Sequence, residues 1–114
     1  MEGMRFVLAF ALVGASLVLA VSAAAAVKAT KLPGTVSAGA YASLTVKVRP
    51  KARCTIKVVY DTVTSRAKGL GAKTGSLITW RWRVGSNTHA GRWPITIDCG
   101  KSGRLVLRIR VIRT

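Results

Sequence analysis

Past the first 26 residues, the chain has few side chains suited to covalent, acid–base or metal chemistry: Cys54, Cys99, His89, Asp61 and Asp98. Hydrolysis through a nucleophile needs a base that its partners hold in place. His89 lies in the turn Asn87-Thr88-His89-Ala90-Gly91 with no acid near it in sequence, and both aspartates close strand-like runs. A Ser–His–Asp constellation assembles in space rather than along the chain, yet no nucleophile elbow accompanies these residues. His89 therefore reads as a solvated turn residue, and the chain as a non-enzyme. A zinc site would need about four ligands, and beside the cysteines only His89 is of the usual soft type. No metal, cofactor or small-molecule substrate is expected. The stretch Gly69-Leu70-Gly71-Ala72-Lys73-Thr74-Gly75 lacks the Walker spacing and reads as a flexible loop.

The abundant chemistry is cationic. Nineteen Lys and Arg stand against three acids, giving a formal charge of +16 in 114 residues. One of those acids is Glu2, which leaves Asp61 and Asp98 in the rest of the chain. Such a protein is drawn to polyanions, whether nucleic acid, anionic lipid or acidic wall polymer. High charge is also a mark of disorder, but half of the residues are apolar and they alternate in short runs, which disordered chains do not show.

What must hold these residues begins after a leader. Arg5 supplies a positive start, and Phe6 to Ala20 is an uninterrupted apolar stretch of signal-peptide length. The small residues of Val21-Ser22-Ala23 and Ala24-Ala25-Ala26 place cleavage after Ala23 or Ala26. The competing reading is a retained membrane anchor, since no charge interrupts Arg5 to Lys28 and that length can span a bilayer. The Ala-rich end favours cleavage. Residues 1–26 are thus expected to be a helical signal peptide, 27–32 a short linker and 33–114 one domain, soluble outside the membrane. In such a compartment an even count of cysteines reads as a disulfide, here Cys54–Cys99. It closes a loop of about 45 residues, worth about 4 kcal/mol by loop-closure entropy.

Apolar residues recur with a period of two nearly throughout 33–114, which predicts strands. Ser43–Arg49, Cys54–Tyr60, Ser76–Val84, Arg92–Cys99 and Arg104–Ile112 are five such runs, with Leu32–Val36 and Arg66–Leu70 as short edge strands. Turns are expected at Pro50-Lys51, over 69–75, at 85–87 and over 100–103. Pro94 donates to no ladder and must face an edge or a bulge. Trp80, Trp82 and Trp93 share the inward parity with Ile and Val, so they read as core. About seven strands at intervals of roughly 8–12 residues are what a sandwich requires. The cysteines then lie either on antiparallel neighbours or on facing sheets.

The ordered set Cys54…Ala67-Lys68-Gly69-Leu70…Trp80-Arg81-Trp82-Arg83-Val84-Gly85…Gly91-Arg92-Trp93-Pro94-Ile95…Cys99 resembles a bacterial Ig-like module of the kind found in exported proteins of actinobacteria and their relatives. The resemblance covers roughly Pro33 to Val111. It implies an all-β, Ig-like Greek-key sandwich with Cys54 and Cys99 paired, and it implies no single activity. In an Ig arrangement Lys47, Arg49, Arg81 and Arg83 would point outward on one sheet, and Lys57, Arg92, Arg108 and Arg110 outward on the other. These eight form the candidate anion-binding surface. The expected role is a non-catalytic, cationic module held to anionic cell-wall polymer or lipid, secreted or envelope-associated. A secreted cationic effector or antimicrobial is one alternative, and a module recognising a protein partner is another. Nucleic acid ranks lower, because the aromatics that usually interleave a binding stripe point inward.

Overall fold

A computed structural model of the protein describes residues 25–114. The expected signal peptide lies outside the described residues, apart from its last two positions. Seven strands follow in order: β1 (Ala26–Lys31), β2 (Thr35–Ser37), β3 (Tyr41–Tyr60), β4 (Val63–Thr64), β5 (Lys73–Arg83), β6 (Gly91–Asp98) and β7 (Arg104–Ile112). Residues 27–32, expected as a linker, instead form most of β1, which pairs antiparallel with β3 from Ala26↔Arg49 to Lys31↔Thr45. Val27 and Ala29 on β1 pack against the core, and that apolar pair is too short a pattern to mark a strand in sequence.

The long strand β3 organises the fold. Two strands with a turn at Pro50-Lys51 were expected, but the chain runs on as one strand of 20 residues. Its pairing with β5 jumps from Lys47↔Leu77 to Ala52↔Gly75. Pro50 sits in that irregularity, where a ladder donor is not required, so the proline bends the strand instead of reversing it. The first half of β3 forms one layer with β1 and β5. Its second half pairs with β6 from Thr55↔Asp98 to Val58↔Ile95, and β6, β7 and the short parallel β2 complete the other layer. Two packed sheets sharing one strand through a bend, with β6 and β7 returning beside it, make an Ig-like Greek-key sandwich.

The alternating inward residues of both sheets meet in one cluster. Trp80, Trp82, Leu44, Val46, Ile95, Ile97 and Ile109 are fully buried in it. Trp93 departs from expectation: it is half-buried and packs against the cluster from the side. Its Nε1 donates to the His89 carbonyl at 3.0 Å, and its ring lies over Gly91, where a Cβ would come within 2.7 Å. Pro94 falls one residue beyond the last β3–β6 pair, so its missing N–H meets an edge of β6, as expected.

The expected edge strand at Arg66–Leu70 does not form. Side chains, not a ladder, fasten this segment: Trp80 Nε1 donates to the Gly71 carbonyl at 2.8 Å. Gly69 has φ +97°, and a Cβ there would collide with the Arg81 carbonyl of β5. Only glycine accepts both the left-handed backbone and the close approach. Gly69→Ala is accordingly expected to cost about 2 kcal/mol or more. Urea unfolding would read this as a lower midpoint at unchanged slope.

Candidate functional site

Each strand alternates, so one set of side chains fills the core and the other reaches solvent: even numbers point inward on β3 and β5, odd numbers on β6 and β7. On the first sheet Lys47 and Arg49 of β3 and Arg81 and Arg83 of β5 all reach solvent. Ser43↔Arg81 and Tyr41↔Arg83 are register partners. The Arg81 guanidinium lies 4.1 Å above the Tyr41 ring, a contact that restrains the side chain while leaving its charge exposed. Arg83 Nε donates to the Gly39 carbonyl at 2.9 Å, and Thr45 and Thr79 join hydroxyls at 2.8 Å between the charged rows. Lys28 of β1 stands opposite Lys47 and extends this face. Sequence reasoning missed it, having read its segment as a linker.

The second face carries Lys57 of β3, Arg92 of β6, and Arg108 and Arg110 of β7, again all exposed. Arg92 is the direct partner of Arg110, Arg108 stands opposite Pro94, and Thr35 of β2 is beside Arg110. Like charges directly opposite oppose pairing. With Leu32 and Thr35, these three arginines line a shallow groove. Guanidinium forks so placed suit phosphate or carboxylate groups, which they bind bidentately.

The two carboxylates do not neutralise either face. Asp98 Oδ1 accepts from the Gly100 N–H at 2.9 Å and so shapes the turn after β6. Asp61 Oδ2 lies 2.8 Å from His89 Nδ1. Among the described residues no lysine or arginine is ion-paired with a carboxylate.

The Asp61 contact revises the reading of His89 as a simply solvated residue. The ring is 74% exposed, yet the fold brings to it an acid 28 positions earlier in the chain. Asp61 adopts φ +54° at the β3–β4 turn, a conformation that aspartate tolerates better than most residues. Among the described residues, Asp61 is the acid that the fold brings to the His89 ring. Nearby, Trp82 Nε1 donates to the Tyr60 hydroxyl at 3.0 Å. Burial raises the Tyr60 pKa against the opposing pull of that bond, so the phenol stays neutral at physiological pH.

The structure joins Cys54 and Cys99 in a disulfide with Cα atoms 4.1 Å apart. They extend the Thr55↔Asp98 ladder of β3 and β6 by one position, so the bond links neighbours within one sheet and does not cross the sandwich. Among the described residues, no group of three His, Cys, Asp or Glu gathers to hold a metal ion. No described helix is long and apolar enough to cross a membrane.

No protein-family model matches the chain, and no curated protein matches it. Among solved structures, the chain is similar to chains in two crystal structures of a titin M10–obscurin-like 1 Ig complex, one of them a mutant. Each likeness has 15% identity and a TM-score of 0.44, and covers 77% of this chain. They cover 94% and 95% of the matched chains.

Proposed function

We propose that this protein is a non-catalytic, exported Ig-like module of bacterial type that associates with anionic polymer or lipid of the cell envelope. One observation carries the reading: eight lysines and arginines stand exposed on the outer faces of both sheets, and neither described carboxylate neutralises them. The buried disulfide suits an oxidising compartment outside the cytoplasm. The apolar leader supplies the export route.

Attraction of this kind depends on salt. At about 0.1 M the screening length is about 10 Å, and at about 1 M it is about 3 Å. The oxidised protein, recovered after export, is expected to co-sediment with envelope fragments at the lower salt and to remain in solution at the higher one. Binding that persists at both would point to an apolar or shape-specific contact. Absence of binding at both would reduce the charge to a solubility feature.

A further inference from the structure

Resting on that reading, we propose that the module is two-sided: one molecule engages a separate stretch of polyanion with each sheet face and so bridges chains of a phosphodiester-linked polymer. The geometry behind this is the back-to-back placement of the charges. Packed sheets lie about 10 Å apart, and every one of the eight cations points away from the layer between them. Lys47 and Arg81 therefore cannot share a ligand surface with Arg92 and Arg110. A flat membrane can contact only one of the two faces at a time. Flexible polymer chains can lie on both. Each face also presents its charges in rows. Neighbouring strands are about 4.8 Å apart, and same-face residues along one strand recur about every 6.6 Å. An extended polymer with regularly repeating anionic groups can meet several of these charges at once. The His89–Asp61 pair belongs to neither row, so bridging needs no residue from it.

The test uses poly(glycerol phosphate) and three variants of the exported protein. One replaces Lys47, Arg49, Arg81 and Arg83 with Gln, which strips these four cations from the first face and leaves Lys28 of β1 there. Another does the same to Lys57, Arg92, Arg108 and Arg110. The third removes two charges from each face, through Arg49→Gln, Arg83→Gln, Lys57→Gln and Arg108→Gln. All three lower the formal charge of +16 by four, so they differ in the placement of charge and not in its amount. Since every replaced side chain is exposed, thermal unfolding should show all three folded.

The unmodified protein and the third variant are expected to condense the polymer at about 0.1 M salt, seen as a rise in light scattering that about 1 M salt reverses. Both single-face variants should still bind the polymer while scattering stays at the level of polymer alone. Condensation by the single-face variants would overturn the proposal, because self-association rather than two-sidedness would then supply the bridge. Binding without condensation by the unmodified protein would overturn it too, yet leave the envelope-binding function standing. Failure to bind any envelope anion would remove both. Vesicles of phosphatidylglycerol serve as a parallel arm: clustering of vesicles with no effect on the polymer would assign the faces to lipid and overturn the polymer assignment.

Discussion

Trp80→Ala is expected to lower the unfolding free energy by about 3–5 kcal/mol, the usual cost of truncating a buried tryptophan. Trp80 has no exposed surface and lies in the cluster shared by the two sheets. It also fastens the segment after β4, by donating from Nε1 to the Gly71 carbonyl. In a domain of this size each kcal/mol lowers Tm by roughly 4–8 °C, so thermal unfolding should move by roughly 12–40 °C. Trp80→Phe separates the two roles. It keeps much of the buried area but loses the hydrogen bond, and a loss of about 1–2 kcal/mol is expected. If Trp80→Ala shifts Tm by only a few degrees, the ring is not in a packed core and the tryptophan is better explained as a ligand-stacking surface.

Removing the disulfide should cost about as much. Cys54 and Cys99 are 45 residues apart in sequence, and loop-closure entropy assigns a bridge over that span about 4 kcal/mol. Position adds to the consequence. Cys54 is the last β3 residue paired with β5, opposite Lys73, and Thr55 is the first paired with β6. The bond thus pins β3 at the point where it passes from one sheet to the other. In the double variant Cys54→Ala, Cys99→Ala, amide exchange should rise first along Thr55–Val58 and Ile95–Asp98. Both sulfurs are buried, so reductant should break the bond only as the chain opens. Rapid reduction of the folded protein, with no change in Tm, would show that the bond contributes little to the fold.

These losses concern architecture, whereas the proposed function rests on exposed side chains whose replacement should leave the fold intact. The two can be tested independently for that reason. Core variants should lose binding only as they unfold, and a variant with the cations of both faces replaced should lose binding while Tm stays within a few degrees, since surface substitutions are usually worth no more than about 0.5 kcal/mol each.

The alternation of apolar residues carried much of this in one dimension. In Ser76–Val84 and Arg104–Ile112 a period of two assigned faces correctly, because a pleated strand turns successive side chains to opposite sides. The eight cations were placed outward by the same parity, and the structure exposes all of them. Parity is local, so it needs no knowledge of which strand lies next to which. Strand β1 escaped notice because its two core residues, Val27 and Ala29, follow an Ala-rich stretch with no contrast to reveal a period.

Three features depended on the tertiary arrangement. Pro50 could either turn the chain or bend it, and the choice came from β5, which resumes pairing with β3 beyond the irregularity. The meeting of His89 with Asp61 joins two loops at one end of the sandwich, a contact that no sequence spacing encodes. The disulfide could have joined facing sheets or neighbouring strands, and register decided it: Thr55 opposite Asp98 puts Cys54 beside Cys99 in one sheet. Local patterning sets which way a side chain points, since that depends only on backbone pleat. What it points at depends on strand pairing between residues distant in the chain, and the packing of the whole domain selects that pairing.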